Sequence, residues 1–251
     1  MGALMSSTEN RLRQLAETAP NRFDLWHCFL HEMDVRRLAE IGVYEGDFAA
    51  SMLKTCSIEK YYLLDPWRHL ADWNKPYNTD DKSFERIFQT ASEKTEFARD
   101  RRLILRGTTT EVIDQIPDGE LDFAYIDGDH TLRGITIDMV RVYPKIRREG
   151  FIGGDDFSPR AWYHGSRFEP TLVFPYAVYF AEAAGATIFA LPNMQFLLQK
   201  DSGFRFVDLT GEFRDLSLLP QLRPAKLATM AFAERFPRLA TLAAKMKRMF
   251  A

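Results

Sequence analysis

The chain has 251 residues, of which 46% are hydrophobic and 27% are charged, which is the composition of an ordinary globular protein. Its formal net charge of −2 argues against a protein that binds nucleic acid through overall positive charge. The two cysteines, Cys28 and Cys56, are too few for a disulfide framework or a structural zinc site.

The pattern along the chain predicts strands that alternate with helices. Residues 1–36 are predicted to be helical, with Asn21 and Asp24 as candidate caps, and no signal peptide is evident there. The predicted strands of the central region are 37–43, 61–64, 103–105, 121–126 and 151–154, and the helices between them are 48–53, 83–99 and 135–146. A helix at 174–184 precedes two strands, 187–191 and 195–198, which a Pro-Asn turn joins into a hairpin.

This alternation predicts an α/β fold, Rossmann-like and doubly wound, with a mostly parallel sheet and an antiparallel C-terminal hairpin strand. We divide the chain into a helical lead-in (1–36), a core domain (37–202) and a C-terminal arm (203–251). In such sheets ligands bind outside the carboxyl ends of the strands. The residues predicted at those ends are Gly42, Asp65, Gly107, Asp127 and Asp155.

The C-terminal arm ends in a predicted basic amphipathic helix. Phe236, Leu239, Leu242, Met246 and Met249 recur at helical spacing among basic residues. Such a helix docks on its own domain, on a partner or on a membrane surface. We expect self-docking or a homo-oligomer formed through the N- or C-terminal helices. No window reaches the roughly 18 apolar residues of a membrane span, so we expect a cytoplasmic protein without one.

Two glycines and an acid after the first two strands indicate a nucleoside site. Glu40–Gly46 reads E-I-G-V-Y-E-G, in which Gly42 would let a ligand approach the backbone; a tight turn explains the same glycine equally well. The pattern is not G-x-G-x-x-G, which argues against an NAD-dependent oxidoreductase. Asp65 is placed to accept hydrogen bonds from ribose hydroxyls, or else caps a helix or turn.

Acidic residues follow the two strands at 121–126 and 151–154, which we expect to be neighbours. Asp127, Asp155 and Asp156 would then converge, which is costly unless a cation or proton neutralises them. Oxygen ligands suit magnesium or calcium, and magnesium usually keeps positions for water or substrate hydroxyls. His130 is a candidate general base, although it could simply start the next helix, and the Asp155-Asp156 pair could be a solvated loop.

The stretch 39–157 resembles class I S-adenosylmethionine-dependent methyltransferases, in particular the sugar O-methyltransferases of the macrocin and mycinamicin type. The resemblance implies cofactor contacts along the first loop and after strands two, three and four. The residues concerned are Glu40, Gly42, Tyr44, Gly46, Asp65, Thr108, Thr109 and Asp127. It also implies that Asp127, Asp155 and Asp156 hold Mg²⁺, and that His130 acts as the base, with Asp127 beside it in catalysis.

The sequence therefore predicts an S-adenosylmethionine-dependent, magnesium-dependent O-methyltransferase. Its acceptor would be a hydroxyl of a sugar, a glycan or a glycosylated metabolite, that is, a small molecule or oligosaccharide with free hydroxyls and not a nucleic acid. A metal-dependent O-methyltransferase for a catechol-like molecule and a non-catalytic nucleoside-binding module are the alternatives. The polar, aromatic segments 66–83, a candidate lid, and 158–168 favour a wide acceptor cleft over the narrow apolar slot that a catechol needs.

Overall fold

One sheet of eight strands organises residues 2–213, 224–237 and 240, which the computed structural model describes. The strands are β1 (Arg37–Ile41), β2 (Lys60–Asp65), β3 (Arg102–Arg106), β4 (Leu121–Ile126), β5 (Ile146–Gly154), β6 (Thr187–Leu191), β7 (Gln195–Gln199) and β8 (Arg205–Asp208). The α-helices are α1 (Gly2–Thr18), α2 (Arg22–Glu32), α3 (Asp47–Thr55), α4 (Asp81–Lys94), α5 (Thr109–Val112), α6 (Leu132–Val142), α7 (Val173–Ala184) and α8 (Pro224–Arg235).

The strand order is β3-β2-β1-β4-β5-β7-β6-β8. The first five strands in this order are parallel, β7 is antiparallel to both β5 and β6, and β8 pairs parallel with β6. This confirms the predicted fold class. The start of the predicted arm, 203–251, continues the sheet through β8, and the domain boundaries themselves stay predictions.

The central strands are buried on both faces, as parallel sheets usually are. Along β4, Phe123 and Tyr125 face one apolar cluster, whereas Ala124 and Ile126 face the other. Helices α2 and α3 cover the first face, and α6 and α7 cover the second. The alternation follows from the two-residue period of a strand. Because the helices cover both faces of the sheet, the site is expected at the ends of its strands.

Helix α2 is fixed against the sheet by its cap and by one tryptophan. The side chain of Asn21 caps the helix by accepting hydrogen bonds from Phe23 N and Asp24 N; Asp24, the other candidate cap, lies in the first turn instead. Trp26 is fully buried and packs over Gly153, where an added Cβ would lie 2.5 Å from its Cη2 atom. The glycine in β5 therefore lets α2 approach the sheet closely.

The described part of the C-terminal arm reaches the loops beside the strand ends. The Glu234 carboxylate in α8 accepts hydrogen bonds from Ser166 N at 2.8 Å and Ser166 Oγ at 2.7 Å. Of the predicted amphipathic stripe, Phe236 is described and exposed, whereas Leu239, Leu242, Met246 and Met249 lie outside the described residues. Among the described helices, none has the length and apolar character required to cross a membrane. The homo-oligomer stays a prediction.

Candidate active site

The loop that follows β1 takes up a conformation that needs glycine. Gly42, Tyr44 and Gly46 have φ angles of +88°, +51° and +78°. A Cβ at Gly42 would lie 2.4 Å from the carbonyl oxygen of Asp127 and 2.5 Å from Gly128 Cα, so no other residue fits there. The backbone beside Gly42 belongs to the residues that directly follow β4. The loops after β1 and β4 are therefore in direct contact.

Asp65, the last residue of β2, holds the same loop in place. Its Oδ2 atom accepts hydrogen bonds from Val43 N at 3.0 Å and Tyr44 N at 2.9 Å, and its Oδ1 atom accepts one from Trp67 N at 2.8 Å. Burial raises the pKa of Asp65, and these backbone donors oppose the rise. Trp67 donates its indole N–H to Tyr44 O at 2.8 Å. Asp65 therefore shapes the loop, and its predicted contact with ribose stays a prediction.

Glu40 lies beneath this loop on the face that α2 covers. The Tyr61 hydroxyl donates a hydrogen bond of 2.7 Å to Glu40, which is 2% exposed. Burial raises the pKa of Glu40 well above its usual range, since a charged carboxyl is poorly stabilised there. Glu40 thus adds a protonatable group to the interior next to the predicted cofactor loop.

Thr108 and Thr109, the two threonines that were predicted to lie near the adenine, make local contacts within the fold. Thr108 starts α5 with a capping box, in which Glu111 Oε2 accepts a hydrogen bond of 2.8 Å from Thr108 N. Thr109 is buried and donates from Oγ1 to Asp138 at 2.5 Å. Both hydroxyls have partners in the fold, and the predicted contacts with adenine stay predictions.

The acidic residues after β4 and β5 come together as the sequence predicts, and two side-chain cations lie among them. Nη1 of Arg22 is 3.2 Å from Asp127 Oδ2 and also contacts Asp155 Oδ2. Nδ1 of His130 is 2.5 Å from Asp156 Oδ2, and its Nε2 is 3.8 Å from Asp127 Oδ1. We call these five residues the acidic cluster.

The acidic cluster shifts the ionisation of its own members. Burial, and then the charge of Asp155, raise the pKa of Asp127 to about 7. Burial by itself would lower the pKa of His130, but the hydrogen bond to Asp156 and the surrounding carboxylates raise it to about 9. His130 is therefore an imidazolium at neutral pH in the free protein, and it donates from Nδ1 to Asp156.

This arrangement does not support the predicted magnesium site of Asp127, Asp155 and Asp156. The described residues contain no group of three His, Cys, Asp or Glu side chains that could hold a metal ion. The carboxylate oxygens that would bind the metal are instead paired with Arg22 and His130. Magnesium prefers several free oxygen ligands in octahedral geometry.

Two residues that contact these carboxylates were not predicted from the sequence: Gln195, which lies beside the acidic cluster, and Arg22, which belongs to it. Gln195 is fully buried, and its Nε2 donates to Asp155 Oδ1 at 2.6 Å. Its Oε1 accepts hydrogen bonds from Trp26 Nε1 at 2.7 Å and from the Tyr125 hydroxyl at 2.9 Å. A glutamine at the start of a strand whose next three residues are apolar is a signal that could have found it. No comparable signal marks Arg22, which lies 105 residues before Asp127.

Two loops, 66–80 and 158–172, pack against each other near the acidic cluster. Lys75 Nζ donates to Glu169 O at 3.1 Å and to Thr171 Oγ1 at 3.2 Å, while Leu172 N donates to His130 O at 3.0 Å. Beside loop 66–80 lies a cleft of about 370 Å³ that is lined in part by Tyr44 and Tyr77. Within the described residues, buried ring nitrogens without a hydrogen-bond partner occur at Trp73, Trp162 and His164.

Comparisons with known proteins agree with this fold. Residues 39–157 match a family model described as "Methyltransferase domain". A segment of the chain is 23% identical over 166 residues to "Uncharacterized protein y4gI" of Sinorhizobium fredii, with 61% of the chain covered. The match spans 17% of the length of that relative.

Solved structures share the fold at low sequence identity. Cofactor-bound Rv0187 from MTB has a TM-score of 0.53 at 13% identity, covering 79% of this chain and 89% of that one. The O-methyltransferase of Bacillus cereus in complex with SAH has a TM-score of 0.51 at 15% identity, covering 77% and 90%. At this level of identity, the likeness shows that the chain shares the fold of these structures.

Proposed function

We propose that this chain transfers a methyl group from S-adenosylmethionine to a hydroxyl of a sugar, a glycan or a glycosylated metabolite. The observation that carries the proposal is His130. The residue is 7% exposed, Nδ1 is held by Asp156, and Nε2 is buried without a hydrogen-bond partner among the described residues. A held imidazole with one free nitrogen is the geometry of a general base.

The loop after β1 fits the predicted cofactor. Its backbone is left-handed at Gly42 and Gly46, and Asp65 fixes it through two backbone amides. Glu40, Gly42, Tyr44, Gly46, Asp65 and Asp127 would hold S-adenosylmethionine, with Thr108 and Thr109 near its adenine. The cofactor supplies a methyl group that is already activated on its sulfonium, so the protein mainly has to align the acceptor oxygen.

His130 removes the proton of the acceptor. A sugar hydroxyl is a poor nucleophile at neutral pH, and a base placed at Nε2 helps it most as the new bond forms. His130 must first be neutral, and a positive charge brought near it by the bound cofactor favours that state. While Nε2 accepts the proton, Asp156 stabilises the imidazolium through Nδ1 at 2.5 Å.

Magnesium, the second cofactor predicted from the sequence, does not fit the acidic cluster as it is arranged. Arg22 contacts Asp127 and Asp155, and His130 contacts Asp156, so each predicted ligand already has a cationic partner. The activation of the hydroxyl is therefore assigned to His130.

The loops beside the acidic cluster support a hydroxylated acceptor over a catechol. Trp73, Trp162 and His164 present buried ring nitrogens without partners among the described residues. Such groups gain hydrogen bonds from a ligand rich in oxygen, whereas an apolar slot would leave them unsatisfied. Tyr77 and His164 lie in contact, with ring centroids 5.6 Å apart, so the two loops form one aromatic wall.

Labelled methyl transfer tests the proposal. The purified chain is incubated with S-adenosylmethionine labelled in its methyl group and with a panel of glycosides, nucleotide sugars and catechols. Cofactor binding is measured separately by calorimetry. We expect binding in the micromolar range and transfer to sugar hydroxyls. Preferred transfer to catechols would replace the sugar class with the alternative acceptor, binding without any transfer would indicate a nucleoside-binding module, and absence of cofactor binding would refute the function.

A further inference from the structure

The carboxylates of Asp127 and Asp155 share one cation, and that cation belongs to the chain itself. Nη1 of Arg22 lies 3.2 Å from Asp127 Oδ2 and contacts Asp155 Oδ2. The two acidic side chains are only 25% and 14% exposed, so water screens them poorly. Two carboxylates at such a site repel each other unless a positive charge lies between them, and Arg22 supplies that charge.

Helix α2 holds Arg22 in register with the acidic cluster. Arg22 is the first helical residue after the Asn21 cap, and Trp26 follows it by one turn. Trp26 donates a hydrogen bond to Gln195, and Gln195 in turn donates to Asp155. One buried amide group therefore fixes both the helix that carries Arg22 and the carboxylate that Arg22 contacts.

The remaining carboxylate has a cation of its own. Asp156 pairs with His130 Nδ1 at 2.5 Å. The buried polar atom that lacks a partner in this part of the described structure is His130 Nε2, on a side chain that is 8% exposed. A divalent metal requires free oxygens around one point. The atom of the acidic cluster that remains without a hydrogen-bond partner is therefore this ring nitrogen.

We propose that Arg22 takes the place of a divalent cation at the ends of β4 and β5, so that the acidic cluster keeps its shape and orients His130 without a metal ion. That His130 is oriented for catalysis rests on the proposed function, whereas the position of Arg22 between Asp127 and Asp155 is a property of the fold. Arg22 acts through Asp127 and Asp155, which makes it a positioning residue.

Binding of Mn²⁺, followed by electron paramagnetic resonance, tests the inference without any assay of activity. The samples are the wild-type chain, Arg22→Ala, Arg22→Lys and Arg11→Ala, all stripped of metal beforehand. Arg11 is the matched control because it forms an exposed ion pair with Glu32 on the neighbouring helix. We expect wild type, Arg22→Lys and Arg11→Ala to bind no Mn²⁺ specifically. Arg22→Ala releases the carboxylates and should bind one Mn²⁺ at least ~100-fold more tightly than wild type.

Adding Asp155→Asn to Arg22→Ala should abolish the new site. Stoichiometric binding of Mn²⁺ by wild type that disappears in Asp155→Asn would overturn the inference, and so would a folded Arg22→Ala that binds none. Circular dichroism establishes folding, and Arg22→Gln replaces Arg22→Ala if the alanine variant unfolds. Calorimetry with S-adenosylmethionine on the same samples separates the two proposals. If wild type does not bind the cofactor and the Mn²⁺ results are as expected, only the function is refuted. If wild type binds the cofactor and the Mn²⁺ results differ from those expected, only the role of Arg22 is refuted.

Discussion

Two groups of acids end the strands of this sheet, and they are stabilised in opposite ways. Asp65, at the end of β2, accepts hydrogen bonds from three backbone amides of Val43, Tyr44 and Trp67. Asp127 and Asp155, after β4 and β5, share an ion pair with the side chain of Arg22. A backbone donor is kept in every substitution of the donor residue except one by proline, whereas most substitutions remove a cationic side chain. The region around Asp65, which we call the backbone half of the site, is therefore fixed by the path of the chain. The acidic cluster, which we call the side-chain half, depends on single side chains.

The side-chain half of the site should show the largest effect on the reaction. His130→Gln removes the proposed base, and we expect the rate of methyl transfer to fall by about 10²–10⁴-fold. Cofactor affinity should stay within about twofold, since His130 is not among the proposed cofactor contacts. Single-turnover kinetics and calorimetry measure the two quantities. The exposed His31 on α2 offers His31→Gln as the control, with no expected change.

The pH profile of the same reaction sharpens this prediction. His130 has a raised pKa of about 9, so it is protonated and inactive as a base at lower pH. In wild type, kcat/KM, which reports the free enzyme, should rise with pH and level off near pH 9. The residual activity of His130→Gln should lack this rise. An equal rise in both proteins would show that another group takes the proton.

The backbone half of the site should respond in stability and in cofactor binding together. Asp65→Ala leaves three backbone amides without their acceptor, which we expect to cost about 2–4 kcal/mol of unfolding free energy. Because the loop 42–46 loses its support, S-adenosylmethionine should bind about 10–100-fold more weakly. Thermal unfolding and calorimetry measure both effects.

Asp122 provides a matched control at the other end of the strands. Its Oδ2 atom accepts hydrogen bonds from Arg36 N and Arg37 N, both at 2.9 Å. Asp122→Ala should therefore lower stability in a similar way and leave cofactor affinity unchanged. If both variants weaken cofactor binding equally, the effect of Asp65 is general destabilisation, and its assignment to the cofactor loop is wrong.

A buried acid behind the site should have the smallest effect, and only on stability. Asp138 is 5% exposed, and burial raises its pKa to about 7 although Thr109 donates to it. As pH rises from 3.8 to about 7 the unfolded chain releases this proton before the folded one, so folding stability falls over that window. Asp138→Asn should therefore be more stable than wild type by on the order of 1–3 kcal/mol at about pH 8.

Below about pH 4 that difference should vanish, because the carboxyl is protonated in both states. Urea unfolding at the two pH values measures it, with the exposed turn residue Asp100 as the control in Asp100→Asn. A constant gain at both pH values would mean that Asp138→Asn acts through packing and not through ionisation.

Runs of apolar residues predicted the strands, because strands that are buried on both faces consist mostly of apolar residues. The predicted strands at 121–126 and 187–191 coincide with β4 and β6, whereas β5 begins at Ile146 and not at 151. The reason is that Arg147, Arg148 and Glu149 are exposed and resemble a loop. The strand-end acids could be predicted because parallel strands bring their carboxyl ends to one edge.

What the sequence did not reveal is how those acids are neutralised. The contact from Arg22 to Asp127 spans 105 residues, and the one from Trp26 to Gln195 spans 169. Periodicity describes one element at a time, so it does not determine which side chain of a lead-in helix reaches a distant strand end. For the same reason the acids alone indicated a metal, since a nearby arginine and an external cation satisfy the same charge requirement.

The buried amide of Gln195 limits which substitutions this sequence can tolerate. It accepts from Trp26 and Tyr125 on one side and donates to Asp155 on the other, so its two ends are not interchangeable. Glutamate at 195 would set a further negative charge against Asp155, and leucine would leave the indole of Trp26 and the phenol of Tyr125 without their acceptor. Among descendants of this chain we therefore expect positions 26, 125, 155 and 195 to change together or not at all.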